Sequence, residues 1–193
     1  GAIMDVHTGE LLALVSYPDF DPNVMTSGDD RKMIVSYNED KRHPFLDRAV
    51  SGVYTPGSIV KPIFALGGLT EGIITPDTNI LSIGYIAIPN PYFPDQETRF
   101  NDWKAHGWLN MRSAIAWSSN VYFYEVAGGY KDQKGLGIRN LEKYARMFGF
   151  GSTTGIDLYG EAVGTIPNPE WKDKNFPGDQ WRIGDTYFTG IGQ

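Results

Sequence analysis

The sequence predicts a mixed fold of the α/β type (α+β), and three patterns lead there. Two apolar runs, Ile3 to Val6 and Leu11 to Val15, flank His7-Thr8-Gly9 and read as a β-hairpin. Ile59, Ile63, Leu66 and Leu69 keep helical spacing, as do Ile138, Leu141, Tyr144, Ala145 and Phe148. Between and after these helical stretches lie segments rich in glycine, proline and asparagine, which signal turns.

In chain order, the hairpin is expected over about residues 2–16. A polar loop follows to about 45, broken by a short apolar stretch at Met33 to Val35. Pro56-Gly57 marks a turn, and a core helix is expected over 58–71, stopping at Gly72. Residues 75–108 are rich in proline and aromatic side chains. They read as a mostly irregular excursion with one short strand near Ile83 to Ile88. Asn110 is an N-cap candidate for a helix over 111–117, and a second helix is expected over 119–128. A third spans 138–148, with Gly149 as its stop. Beyond it, turns and short extended pieces are expected.

Composition bounds the function. With 193 residues, 41% apolar and 21% charged, the chain has material for a packed core. A net charge of −6 argues against a nucleic-acid partner, which demands a basic footprint. No apolar run approaches the length of a membrane span. The absence of cysteine excludes disulfides, cysteine–zinc sites and thiol catalysis.

The chemistry concentrates in Tyr54-Thr55-Pro56-Gly57-Ser58-Ile59-Val60-Lys61-Pro62. Ser58 and Lys61, three apart, fall on one face of a helix. Ser58 in the first turn lies at the positive end of the helix dipole, which favours a developing alkoxide. Lys61 becomes a base for that hydroxyl if burial lowers its pKa. On spacing alone, a surface lysine that happens to follow a serine is the better reading. The turn before the pair, Pro62 after it and a second motif shift the balance. That second motif is Ser118-Ser119-Asn120, set between apolar runs. It reads equally as a helix junction capped by its own side chains and as a polar cluster facing Lys61, with Ser118 as proton shuttle and Asn120 as hydrogen-bonding group.

Together these residues resemble the penicillin-binding protein and serine β-lactamase superfamily. The likeness extends to Asp5-Val6-His7-Thr8-Gly9-Glu10, Tyr17-Pro18-Asp19-Phe20-Asp21-Pro22-Asn23, Asn101-Asp102-Trp103-Lys104, Phe148-Gly149-Phe150-Gly151, Thr154-Gly155-Ile156-Asp157-Leu158 and Gly190-Ile191-Gly192-Gln193. It covers essentially the whole chain, and is greatest to class B transpeptidase domains of the elongation type, penicillin-binding protein 2. The family's third motif, a Lys/His-Ser/Thr-Gly on a strand, is expected beyond Gln193. His7-Thr8-Gly9 matches it by letters only, since it falls at the hairpin turn. Residues 1–193 therefore read as a partial transpeptidase domain: the opening hairpin and helical region, with the later sheet strands outside. Such a piece alone is expected to be marginally stable and not to cross-link.

The resemblance implies a D,D-transpeptidase acting through an acyl-serine, with Ser58 as nucleophile, Lys61 as base, Ser118 as proton relay and Asn120 as orienting group. One oxyanion donor is then the Ser58 backbone N–H, and the other comes from the third-motif strand. The implied partners are a peptidoglycan stem peptide ending in D-Ala-D-Ala, β-lactam antibiotics, and glycan-polymerising and cell-shape membrane proteins. The implied location is the periplasmic face of the inner membrane. A β-lactam-binding sensor or a serine β-lactamase is the alternative. The Glu-x-x-x-Asn loop of one large β-lactamase group is missing, because Glu142 is followed by Arg146 and Glu161 by Thr165. No cofactor is implied. Asp77, Asp102 and His106 are conceivable metal ligands, which some elongation-type relatives complete with a cysteine. Here that place holds Ser119, a poor zinc ligand, and no metal is expected. His7 and His43 lie in loop sequence, as does His106. Trp103, Trp108 and Trp117 fit either a peptide groove or, better, the core.

Overall fold

The computed structural model describes residues 1–90, 92–93 and 95–193, which fall into two compact units. Residues 1–54 and 153–164 form the smaller unit, and residues 55–152 and 165–193 the larger one.

The smaller unit opens with the expected hairpin. Strand β1, Ala2–Met4, pairs antiparallel with β2, Leu11–Leu14. The turn between them is fixed by Asp5, whose carboxylate accepts from the amides of His7 (2.7 Å) and Thr8 (3.1 Å), with Gly9 at φ 78°. His7-Thr8-Gly9 is thus a turn. The stretch expected to be a polar loop contains two helices, α1 at Pro22–Ser27 and α2 at Arg31–Glu39. Asp21 and Asp30 cap them by accepting amide N–H groups in the first turn. They escape a reading by periodicity because neither buries any residue. Phe20, Tyr37 and Phe45 hold this region as an aromatic cluster with centroids 4.9–6.3 Å apart.

The larger unit is built around a helix buried on all sides. The expected helix start at Met111 is confirmed as α4, Met111–Ala116, capped reciprocally by Asn110 and Ser113. Helix α5 follows at Asn120–Gly128, and Val121 to Ala127 are all buried. The segment that carries Ser58 begins as a 3-10 turn over Gly57–Val60 and continues as α3, Lys61–Thr70. Its buried face differs from the one expected. Ile59 is 72% exposed and Leu66 also faces outward, whereas Val60, Phe64, Ala65, Gly67 and Gly68 are buried. The cause is glycine-mediated packing. A Cβ on Gly67 would stand 2.8 Å from the Tyr144 ring, so α3 approaches α6, Gly137–Met147, through a side with no side chain to register in a hydropathy pattern. In α6, Leu141, Tyr144 and Ala145 are buried as expected, while Phe148 is exposed.

Residues 75–108 are more regular than expected. Strand β3, Ile80–Ser82, pairs with β6, Gly107–Leu109, and β4, Tyr85–Pro89, pairs with β5, Glu97–Asn101, all antiparallel. Strands of three to five residues are too short to display a period of two. Pro91 and Pro94 of this stretch lie outside the described residues.

The region past Gly149, expected to be turns and extended pieces, holds two helices. Helix α7, Pro169–Asn175, is started by the Asn168 side chain accepting from the Trp171 amide, with Pro169 in the first turn. Helix α8, Ile183–Gly190, packs on α5 where both carry glycine. A Cβ on Gly128 would lie 2.4 Å from the Tyr187 ring, and one on Gly190 2.3 Å from the Ala127 Cβ. Gly128→Ala should gain at most ~1 kcal/mol of helix propensity but lose about 1–3 kcal/mol to overpacking against buried Tyr187. Urea melts of the full-length protein are therefore expected to show net destabilisation. A stabilised variant would mean that this helix contact is looser than described.

Candidate active site

Gly192 brings the end of α8 onto the start of the segment that carries Ser58. Its carbonyl accepts from the Gly57 amide at 2.9 Å. At φ 79°, with space for a Cβ only 2.2 Å from the Gly57 oxygen, the position requires glycine. Gly57 itself has φ 62°, so Pro56-Gly57 makes the expected turn and Ser58 enters the first turn. Ser58 is exposed, and the Lys61 backbone amide donates to its carbonyl.

One turn on, Lys61 is 1% exposed. Its Nζ donates to the Ser118 carbonyl (2.7 Å), the Ser118 Oγ (3.2 Å) and the Asn120 Oδ1 (2.8 Å), and lies 5.6 Å from the Phe123 ring centroid. The fold thus joins Lys61, Ser118 and Asn120 across nearly sixty residues of sequence. Among the described residues, the Ser58 Oγ forms no hydrogen bond with any of the three. Burial pushes the Lys61 amine down to about 8, against the opposing attraction of the Asp102 charge.

Ser119, between the two lysine partners, turns the other way and caps α5 by accepting from the Tyr122 amide at 3.3 Å. The Ser-Ser-Asn run therefore caps a helix through Ser119 and faces Lys61 through Ser118 and Asn120. Ser118 has φ 53°, a left-handed conformation uncommon for a residue with a side chain.

Sequence reasoning missed the support beneath this segment. Asp102, with a side chain 0% exposed, accepts from Ser119 Oγ (2.6 Å) and the Val121 amide (3.0 Å) on one oxygen and from the Trp103 amide (2.9 Å) on the other. Burial raises its pKa, but the hydrogen bonds from Ser119 and from the Val121, Asn120 and Trp103 amides outweigh that and hold it below the ordinary carboxylate range. The sequence marks Asp102 as a conceivable metal ligand and as part of the run Asn101-Asp102-Trp103-Lys104, neither of which points to this supporting role. His106 is buried with its Nε2 3.6 Å from Asp102 Oδ1. Asp77 does not join them, and among the described residues no three His, Asp or Glu side chains gather as a metal-ligand set. Trp103, Trp108 and Trp117, expected in the core, are exposed instead. The Lys104 Nζ lies 4.7 Å and 4.1 Å from the ring centroids of Trp103 and Trp117, so these indoles cover the loop from outside. Among the described residues no helix is long and apolar enough to cross a membrane.

Against known families, residues 1–192 match the penicillin-binding protein transpeptidase domain. The chain is 42% identical to the peptidoglycan D,D-transpeptidase MrdA of Acinetobacter baumannii, over 100% of this chain and 28% of that protein. It is 39% identical to the Escherichia coli K12 protein of the same name, over 99% of this chain and 29% of that protein. Among solved structures, the penicillin-binding protein PBP2 of Helicobacter pylori in complex with MreC superposes with a TM-score of 0.87 at 36% identity, covering 100% of this chain and 34% of that one. The chain thus spans under a third of the length of these two curated relatives.

Proposed function

This chain belongs to the penicillin-binding protein transpeptidase domain family, and on that footing we propose that it carries the acylation machinery of a peptidoglycan D,D-transpeptidase serving cell-wall elongation. Ser58 attacks the carbonyl between the two terminal D-alanines of a stem peptide. Lys61 takes the Ser58 proton, and Ser118 passes it to the departing D-alanine amine, leaving an acyl-serine ester. The Ser58 amide is one oxyanion donor. An amine of a neighbouring stem peptide then attacks the ester, forms the cross-link and frees Ser58. β-Lactams enter as mimics of the D-Ala-D-Ala end.

The observation that supports this reading is the saturation of Lys61. A lysine ammonium has three N–H donors, and three oxygens meet it here. When Lys61 is neutral it has two donors and a lone pair, so one contact must reverse. A backbone carbonyl cannot donate, whereas the Ser118 hydroxyl can donate or accept. The Lys61–Ser118 contact is therefore a reversible proton path between two of the proposed catalytic groups.

A lysine base with a pKa of about 8 is about one-tenth neutral at pH 7, whereas an ordinary lysine near 10.4 is neutral only a few times in ten thousand. Because the base must be deprotonated, acylation of the full-length protein by a fluorescent penicillin should rise roughly tenfold per pH unit below the Lys61 pKa and level off above about 8. A rate flat from pH 6 to 9 would remove Lys61 from the role of base.

The Helicobacter pylori relative was solved in complex with MreC. By analogy, the full-length protein acts beside cell-shape and glycan-polymerising membrane proteins. A peptidoglycan substrate supports a site on the periplasmic side of the inner membrane.

A further inference from the structure

We propose that Asp102 is a positioning residue for acyl transfer: its carboxylate, with the loop it opens, holds Ser118 and Asn120 in the conformation that meets Lys61. The inference rests on the acyl-transfer reading and adds the group that sets its geometry.

Ser118 stands in a left-handed conformation that a serine does not keep without restraint. The restraint comes from both sides, and from one loop. Before Ser118, the Trp117 carbonyl accepts from the Trp103 indole N–H at 3.2 Å. After it, one oxygen of Asp102 accepts from the Ser119 hydroxyl at 2.6 Å and the Val121 amide at 3.0 Å. Ser82 Oγ stands 3.4 Å from that same oxygen. Two consecutive residues, Asp102 and Trp103, therefore clamp the segment from 117 to 121. Asn101 extends the clamp, since its carbonyl accepts from the Tyr124 hydroxyl at 3.2 Å and the Asn120 side chain at 3.5 Å.

The choice of a carboxylate follows from the donors it faces. One oxygen must serve a hydroxyl and an amide on a side chain closed off from the surface, and a charged acceptor makes the shorter, stronger bonds. Asparagine keeps one acceptor oxygen for Ser119 and Val121. Its NH2 would then oppose the Trp103 amide, donor against donor. Alanine loses every bond at once and releases Ser118 to relax. Neither Asp102 nor Trp103 hydrogen-bonds Lys61 or Ser58; beyond the Asp102 charge, which opposes the lowering of the Lys61 pKa, the effect on chemistry passes through the segment they hold.

The test is fluorescent-penicillin acylation of the full-length protein, resolved into an initial binding constant and a rate of ester formation. Wild type is measured first, because absence of a Ser58 adduct would refute the acyl-transfer reading whatever Asp102 does. With that adduct established, Asp102→Ala should slow ester formation about 100-fold, the scale of an ångström-sized misplacement, with initial binding nearly unchanged. Asp102→Asn should recover part of the loss, remaining several-fold below the wild-type rate. Leu141→Ala, which truncates a buried side chain on α6, should keep the wild-type rate in its folded fraction. If Asp102→Ala does not fold, Asp102→Asn and Ser119→Ala carry the test, each slowing ester formation several-fold at unchanged binding. Wild-type rates in these variants, or an equal loss in Leu141→Ala, would overturn the proposal. So would a wild-type rate abolished by chelation and restored by zinc, since a metal would then be holding the segment.

Discussion

Replacing Ser58 with alanine in the full-length protein is expected to abolish labelling by a fluorescent penicillin while leaving the fold intact. Ser58 is exposed in the 3-10 turn ahead of α3, so removing its hydroxyl leaves no cavity and no buried partner without a bond. No other group can form the ester from that position. The acylation rate should therefore fall by more than about a thousandfold, as removal of an enzyme nucleophile does. The thermal midpoint should stay within the small range typical of surface substitutions. Gel fluorescence after incubation with the label reads the first quantity and a melting curve the second. Retained labelling would assign the nucleophile elsewhere.

Lys61 is expected to give the second large effect, and its variants separate a base from a mere positive charge. Lys61→Ala removes the proposed base for the Ser58 proton, and the rate should drop by about 10²–10⁴. Lys61→Arg keeps the charge near Ser118 and Asn120, but a guanidinium does not lose its proton in a protein. If the amine acts as a base, arginine should be nearly as inactive as alanine. If only the charge is needed, arginine should restore most of the rate. Stopped-flow acylation at pH 8, where the wild-type amine is about half neutral, gives the widest contrast.

The chemistry was more legible in the sequence than the packing, for physical reasons. Ser58 and Lys61 announce themselves because three-residue spacing, Pro56-Gly57 and Pro62 are all local signals. Ser118 and Asn120 announce themselves as polar side chains between apolar runs. That Lys61 meets them is a tertiary fact, anticipated from resemblance and seen in three hydrogen bonds. The face of α3 was misjudged because Gly67 and Gly68, which make its closest contacts, are invisible to hydropathy. Helices α1 and α2 bury nothing and so show no apolar stripe. Asn168-Pro169 is a readable start signal for α7, masked by the turn residues around it. Asp102 stands out only as a conceivable metal ligand, and its contacts with Ser119 and Val121 show no local pattern, since those partners lie seventeen and nineteen residues away. Exposed Trp103 and Trp117 show the opposite error, for large aromatic residues invite assignment to the core.

The central claim is that Ser58 forms a covalent ester in a site organised by Lys61, Ser118 and Asn120. Peptide mapping by tandem mass spectrometry of the penicillin-treated full-length protein tests it most directly. The account predicts a single adduct, equal in mass to the intact antibiotic, on the Ser58 side chain of the peptide that begins after Arg48. An adduct on Ser118, Ser119 or any other residue, or none under conditions that label a known penicillin-binding protein, would contradict it.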